Sequence, residues 1–199
     1  IPDHSMISPE YPGAVISGNT ETAQVLVDTL FGALSIAAAS QGTMNNFIFG
    51  NDVHQYYGTI CGGSGATHEG HGTDAVHTHM TNSRLTDPEI LEWRFPVILE
   101  SFSIRKGSGG TGQMHGGNGV IRRVRFLEAL KANLLSGHRR IPPYGLAGGG
   151  DAKVGSNTVE HADGSITRLS GTDQIKLKVG DTVVIETPGG GGYGSSAET

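Results

Sequence analysis

Glycine clusters constrain the fold of this chain more than any other feature of its sequence. Glycine supplies 32 of the 199 residues, which is more than twice its average usage of roughly 7%. Because glycine has no Cβ, it permits tight turns and close main-chain contacts that other residues prevent. Apolar, strand-like segments separate the clusters, whereas a flexible linker would lack such segments. The sequence therefore predicts a folded protein with demanding backbone geometry at residues 62–65, 107–112, 116–119, 148–150 and 189–192.

Composition argues against several classes of protein. The 14 lysines and arginines and the 19 aspartates and glutamates give a net charge of −5, which disfavours nucleic acid or an anionic membrane as the main partner. The single cysteine, Cys61, permits no internal disulfide and favours a reducing, cytoplasmic location. No apolar run reaches about 18 residues, so no membrane-spanning helix is predicted. The start at Ile1 shows neither a methionine nor a signal-peptide pattern, so we expect a processed or excised piece of a longer protein.

One long buried helix is predicted over residues 19–41. Asn19 or Thr20 supplies the N-cap, and Glu21 lies in the first turn, where the helix dipole favours an anion. Asp28 is the only charge inside the helix, and we expect it at an exposed edge. Apolar residues form a wide stripe that buries most of the helix; these are Ala23, Val25, Leu26, Val27, Leu30, Phe31, Leu34, Ile36 and Ala37.

The chain after this helix is predicted to be rich in β-strands. Short β-favouring runs end at Gly, Pro, Asn or Asp, and the dipeptide Asp163-Gly164 predicts a hairpin. A second hairpin turn is predicted at residues 179–181, and a short helix at residues 88–94, which Asp87 caps. The predicted class is α+β, with one long N-terminal helix before a body of short, mostly antiparallel strands and Gly-rich turns. The predicted strands are residues 47–49, 97–104, 120–127, 132–136, 175–179 and 182–186.

These elements divide the chain into three parts. Residues 1–18 are predicted to form an extended lead-in, and residues 195–199 a frayed polar tail. Residues 19–194 form either a single β-rich domain or the C-terminal part of a larger subunit.

The glycine clusters include two matches to the dinucleotide-binding pattern G-x-G-x-x-G, at residues 107–112 and 189–194. A dinucleotide-binding fold needs a helix directly after this pattern. The first match leads to another glycine cluster and a strand, and the second leads to the end of the chain. Neither match is therefore predicted to bind a nucleotide. No Gly-Lys pair occurs, so a P-loop is excluded as well.

Histidine and arginine supply candidate site residues. Five of the nine histidines fall in one segment, and an extended conformation there would place His77 and His79 on one face. Two such imidazoles suit acid–base chemistry or a metal ion completed by Glu69 or Asp74; loop histidines that only make hydrogen bonds are the alternative. Arg139 lies beside a proline-fixed loop, where a guanidinium would bind a carboxylate or a partner subunit.

Four other reactive or charged residues are expected to have structural roles. Cys61 has the right chemistry for a nucleophile, but we predict a small buried residue instead. Arg122, Arg123 and Arg125 alternate along a predicted strand and are expected on its solvated face.

Ordered short motifs carry a family resemblance. They occupy residues 17–24, 42–46, 76–92 with 94–97, 108–112, 115–119, 143–146 and 187–194. In this order the motifs resemble the hydantoinase B/5-oxoprolinase family, and they run from about Pro12 to Gly194. The segments at residues 55–66 and 76–92 are more similar to 5-oxoprolinases than to N-methylhydantoinases or acetone-type carboxylases.

The resemblance implies that the chain is part of an enzyme that uses ATP to open the ring of a lactam or a cyclic imide. An example of this reaction is the conversion of 5-oxo-L-proline to L-glutamate in glutathione metabolism. ATP, Mg²⁺ and a further divalent metal are implied for the intact enzyme. The chain resembles only the C-terminal part of the B portion, so we expect no cofactor or metal in it and no turnover by it alone. The implied partners are the remaining hydantoinase A-like and B-like portions, further subunits of an oligomer, and a small cyclic amide.

Within this frame we expect Asn45, Asn82 and Arg139 to bind substrate, and His77 and His79 are the candidate catalytic residues. The pair His77 and His79 does not correspond to the metal ligands of the family, so no metal role is assigned to it. Two alternatives stay open. One is a related ATP-dependent ketone carboxylase, and the other is a non-catalytic assembly module.

Overall fold

The computed structural model describes residues 3–5, 7–13 and 18–195. One π-helical turn, Gly18–Thr22, leads into helix α1, Ala23–Ala33, and helix α2 spans Pro88–Arg94. The predicted frayed tail lies outside the described residues except for Ser195, and the predicted lead-in is described only in part. The described residues also form nine strands: β1 Asn46–Gly50, β2 Gln55–Gly58, β3 Val97–Ile104, β4 Val120–Phe126, β5 Leu130–Leu135, β6 Ser156–Glu160, β7 Ile166–Leu169, β8 Thr172–Leu177 and β9 Thr182–Glu186.

The strands form two antiparallel sheets that share one hydrophobic core, which confirms the α+β class. The first sheet has the order β2-β1-β5-β8, and the second has the order β3-β4-β9-β6-β7. Buried and less buried residues alternate along β4, as expected for a strand with one face on the core. Phe49 of the first sheet meets Phe126 of the second edge to face, with ring centroids 5.2 Å apart. The core side chains of both sheets thus pack directly on one another.

Two turns show how local signals and sheet pairing differ. The Asp163-Gly164 hairpin is confirmed, since β6 and β7 pair across it. The predicted hairpin at residues 179–181 is wrong, because β8 pairs with β5 while β9 pairs with β4 and β6. Gly180, with φ +89°, therefore turns the chain from one sheet to the other. Strand β2 was not predicted.

Helix α1 is shorter than predicted, and it faces the opposite way. It ends at Ala33 rather than residue 41, because Ser35 has a left-handed φ of +56° and the following main chain bonds elsewhere. Asp28 is buried rather than at an exposed edge. Val25, Leu26 and Leu30 of the helix are exposed instead, and Val27 and Phe31 are only partly buried. The predicted burial of the apolar stripe is therefore wrong for the described residues.

The glycine clusters pack main chain against main chain. We call residues 62–66, 108–111, 116–119, 144–150 and 189–192 the glycine bundle. Gly190 is one of its central residues: it donates to the carbonyl of Gly117 and accepts from the amide of Gly110, both at 2.9 Å. A Cβ at Gly190 or at Gly116 would lie closer than 3.0 Å to backbone atoms of another segment. This confirms the close backbone contacts predicted from composition.

The three arginines of β4 do not share one environment. Arg123 and Arg125 lie on the partly solvated face, where both pair with Glu100 and Arg123 also pairs with Glu160. Arg122 is fully buried between the sheets, where its only hydrogen-bond partner in the described chain is the Tyr56 hydroxyl at 3.4 to 3.5 Å. The predicted solvated position is therefore wrong for Arg122, since strand alternation places it on the face of Val120 and Val124.

Candidate functional site

Arg139 and Asn45, two of the predicted substrate-binding residues, are in direct contact. Arg139 follows β5, and its largely buried guanidinium donates from Nη2 to Asn45 Oδ1 and to Asn157 Oδ1, each at 2.9 Å. Its Nε also donates to Asn157 Oδ1 at 3.2 Å, and its Nη1 donates to the carbonyl of Gly137 at 2.8 Å. These bonds use four of the five N–H donors of an arginine, so one Nη1 hydrogen remains for a ligand.

Asn45 is bound by the protein at both ends of its side chain. The residue is buried and has a left-handed φ of +46°, a conformation that asparagine tolerates better than most residues. Its Nδ2 donates to Gln41 Oε1 at 2.8 Å and to the carbonyl of Ile60 at 3.0 Å. Asn45 therefore ties the loop before β1 to Arg139 and to the segment after β2.

Glu21 belongs to the same polar network, although the sequence indicated only a helix-start role for it. Its Oε1 accepts from Thr43 Oγ1 at 2.8 Å and lies 3.4 Å from Asn46 Nδ2. Burial raises the pKa of Glu21 from 4.5 to about 7, although the Thr43 bond and the charge of Arg139 oppose that rise. Burial also lowers the pKa of Arg139 to about 10, and the charge of Glu21 opposes that fall. A carboxyl that titrates near neutrality is a common property of acid–base sites.

A groove opens beside this network. Gly137 donates its amide to Thr43 Oγ1 at 2.9 Å, which joins the network to the loop after β5. The groove has a volume of about 800 Å³ and is lined by residues 136–141, residues 169–172 and Val25 of α1. We call it the Arg139 groove. Arg139 contributes to its lining, so its remaining donor is the polar group most suited to a ligand there.

His79 is engaged in a second buried network. Its Nε2 lies 2.7 Å from Asp28 Oδ1 and 3.3 Å from Ser40 Oγ, and Ser40 donates its own hydroxyl to Asp28 Oδ2 at 2.9 Å. A catalytic Ser-His-Asp triad needs the acid on one ring nitrogen and the serine on the other. Here the same nitrogen meets both, so the three residues form a buried polar cluster instead of a triad.

His77 and His79 do not lie on a strand. The chain turns at His79, which has a left-handed φ of +52°, so the strand-like alternation assumed for the pair is absent. The Nδ1 of His77 is buried without a hydrogen-bond partner in the described chain. Burial lowers the pKa of His77, because the charged imidazolium loses hydration there.

Asn82 is a surface residue, unlike the buried Asn45. It is exposed in the loop that precedes α2. Its neighbour Thr81 is buried and accepts a hydrogen bond at 2.6 Å from Gln24 of α1. The structure therefore brings Asn45 and Arg139 together and leaves Asn82 at the surface.

The remaining candidate ligands do not converge. Among the described residues, no three His, Cys, Asp or Glu side chains are grouped as a metal site would require. Asp74 instead accepts from the amide of Asn118 at 2.6 Å, and Asn118 in turn accepts from the amides of Ser108 and Gly109 in the glycine bundle.

Burial raises the pKa of the Cys61 thiol, which disfavours the thiolate that a nucleophile needs. In the described part of the chain no helix has the length and apolar character to cross a membrane.

Sequence comparison matches residues 1–196 to the family described as Hydantoinase B/oxoprolinase. The chain is 43% identical to a 5-oxoprolinase of Dictyostelium discoideum, over 98% of this chain and 15% of that protein. It is 44% identical to a 5-oxoprolinase of Saccharomyces cerevisiae, over 98% of this chain and 17% of that protein. The chain therefore spans less than a fifth of the length of these curated relatives.

A solved structure shares the fold. The ATP-dependent caprolactamase from Pseudomonas jessenii superposes with a TM-score of 0.79 and 24% identity, over 94% of this chain and 36% of that chain. The ordered glycine motifs, the glycine bundle that they build and the match over residues 1–196 lead to one assignment. The chain belongs to the hydantoinase B/oxoprolinase family.

Proposed function

We propose that this chain is the C-terminal portion of an ATP-dependent cyclic amide hydrolase that converts 5-oxo-L-proline to L-glutamate. The observation that carries the proposal is the identity of 43% and 44% to two 5-oxoprolinases over 98% of the chain. The remaining hydantoinase A-like and B-like portions, an oligomeric assembly and a cytoplasmic location belong to the same proposal.

The chemistry explains why a single portion would be inactive. A five-membered lactam is stabilised by resonance, and ATP supplies activation by phosphorylating the amide oxygen so that water can open the ring. Neither G-x-G-x-x-G match in this chain has the context of a nucleotide site, because the segment at residues 107–112 leads to β4 and the segment at residues 189–194 packs within the fold. ATP, Mg²⁺ and any further divalent metal are therefore proposed to bind to the other portions.

The proposed role of this chain is to shape and orient the substrate site. Arg139 keeps one donor for a carboxylate or an amide oxygen, and its bond to Asn45 fixes the position of that donor. His77 is the less engaged of the two proposed catalytic histidines, since its Nδ1 has no hydrogen-bond partner in the described chain whereas His79 Nε2 lies 2.7 Å from Asp28 Oδ1. Asn82 is proposed to contact substrate from the exposed loop before α2.

Kinetics of the intact enzyme test this role. Arg139→Lys keeps the charge but removes the geometry that holds Asn45 and Asn157, so we expect kcat/KM for 5-oxo-L-proline to fall roughly 10- to 100-fold. That loss corresponds to about 1.4 to 2.7 kcal/mol of transition-state stabilisation. Arg168→Lys, on the exposed strand β7, is the matched control and should leave kcat/KM unchanged. ATP hydrolysis that depends on acetone and bicarbonate instead of 5-oxo-L-proline would support the ketone carboxylase.

The assembly-module alternative has one observation in its favour. The hydrogen bonds of Asn45 and most of those of Arg139 are made within the chain. If substitution of Asn45, His77, His79 and Asn82 in the intact enzyme left turnover unchanged, the assembly module would replace the catalytic proposal. ATP-dependent oxoprolinase activity of the 199-residue chain alone would contradict the expectation that it is inactive.

A further inference from the structure

The outer face of α1 is apolar and uncharged. Asp28 is the only charged residue of the helix, and it is buried on the inner face. The other exposed residues of the helix are Thr29 and Ala33, which add no charge to the face. We call the large exposed side chains the α1 patch; they are Val25 at 47% exposure, Leu26 at 37%, Leu30 at 52%, Leu34 at 67% and Ile36 at 46%.

The inner face of α1 carries polar side chains that bond to the body of the protein. Gln24 donates to Thr81 Oγ1 at 2.6 Å and to the carbonyl of Thr78 at 3.1 Å. Asp28 accepts from the amide of Ser40 at 3.0 Å and contacts His79. A surface helix of a soluble protein shows the reverse arrangement, with its apolar stripe on the core and its polar face in water. The polar contacts fix the orientation of α1, so the outward direction of the patch is built into the fold.

The patch continues into the Arg139 groove. Val25 lines that groove, together with Leu169 and the 73% exposed side chain of Ile141. An apolar surface on a helix marks an interaction site. The surface would suit an apolar segment that lies along α1 and ends at the rim of the groove.

Size and sequence coverage favour an occupant from the same protein over a second copy of this chain. A stable interface between free proteins uses about 20–30 residues a side, whereas this surface offers three large side chains on α1, two directly after it and a few at the groove. A covalent tether removes that requirement, because it raises the effective concentration of the partner to about the millimolar range. The caprolactamase that shares the fold has a chain of which this fold accounts for only 36%.

We infer that the α1 patch is the docking surface for an apolar, uncharged segment of the remaining hydantoinase B-like portion of the same polypeptide. The inference rests on the proposed function, in that both require further portions of the enzyme. A charged segment is disfavoured, because the patch offers no polar partner and burial of an unpaired charge there would be costly.

Thiol labelling of the intact polypeptide tests the inference. Leu30→Cys and Ala33→Cys place thiols on the outer face of α1, and Val53→Cys places one on the loop between β1 and β2, where Val53 is 81% exposed. Labelling at each peptide is followed by mass spectrometry, with the wild-type protein as the baseline for Cys61 and other native thiols. We expect the two α1 thiols to react at least 10-fold more slowly than the thiol at position 53.

Each other outcome counts against the inference. Equal labelling rates at all three positions would show that the α1 patch is open in the intact protein and would overturn the inference. Protection that disappears on dilution would identify a second copy as the occupant and would overturn it too. Ala33→Cys is a small change at an exposed site, so the test survives if Leu30→Cys fails to fold. The readout does not depend on turnover, so protection without oxoprolinase activity would sink the proposed reaction alone.

Discussion

The glycine bundle and helix α1 are packed in different ways: the bundle by its main chain and the helix by its side chains. In the bundle, residues without side chains let main chain pack on main chain, and Gly190 bonds to two other segments at once. In α1, side chains decide the packing, and the helix buries Gln24 and Asp28 while Leu30 and Leu34 face outward. The segments of the bundle bond to one another within this chain. Helix α1 bonds to the rest of the chain through its inner face. A surface that breaks the usual pattern is informative because such exceptions are expected at functional sites.

The largest expected effect is in the bundle. Gly190→Ala would place a Cβ against backbone atoms of Ser64, and backbone cannot move aside as a flexible side chain can. We expect loss of the folded protein, measured as soluble yield and as a missing cooperative thermal transition. Gly70→Ala is the matched control, because no atom lies within 4 Å of its added Cβ, and it should fold normally. Normal folding of Gly190→Ala would refute the tightly packed bundle.

The sequence predicts the strands better than the ends and faces of the first helix, for a physical reason. Strand β3, Val97–Ile104, has the predicted bounds, because a β-favouring run with Pro96 before it and Gly107 after it is visible in the local sequence. The end of α1 depends on distant partners: the amides of Ala38 and Ala39 bond to the carbonyls of Ala66 and Tyr144. No local pattern reports those bonds.

The candidate site shows the same division between local and distant information. Asn45 and Arg139 were predicted separately, yet nothing in the sequence indicated that their side chains would meet at 2.9 Å. The position of Arg122 was available locally, since strict period-two alternation in β4 places it with Val120 and Val124 on the buried face. The role of Glu21 could not be predicted from the local sequence, because Thr43 and Arg139 from other parts of the chain form its environment.

A medium effect is expected at the start of α1, where a carboxyl is buried. Burial raises the pKa of Glu21 in the folded protein from 4.5 to about 7, so the folded state binds the proton more tightly than the unfolded state. The contribution of Glu21 to the free energy of unfolding is therefore greatest below about pH 4.5 and falls as the pH rises through 7. With solvent screening considered, we expect Glu21 to cost about 2 kcal/mol at pH 8 relative to pH 5.

Denaturant unfolding of the wild type and of Glu21→Gln at pH 5 and pH 8 measures this cost. Glutamine stays neutral at both pH values. The free energy of unfolding of the variant, relative to that of the wild type, should therefore rise by about 2 kcal/mol from pH 5 to pH 8. Glu128→Gln, at an exposed position after β4, should follow the wild type at both. A constant difference between Glu21→Gln and the wild type would mean that Glu21 titrates at its ordinary pKa.

The smallest expected effect compares the two faces of α1 directly. Thr29 lies on the outer face and donates only to the carbonyl of Val25 within its own helix, at 2.7 Å. Alanine has the higher helix propensity, so Thr29→Ala should change the free energy of unfolding by no more than about 0.5 kcal/mol. Gln24→Ala on the inner face leaves Thr81 without its bond and opens space in a fully buried site, and it should cost about 2 kcal/mol. Equal costs at the two positions would mean that the inner and outer faces of α1 are not distinct, which would remove the basis for a separate docking surface.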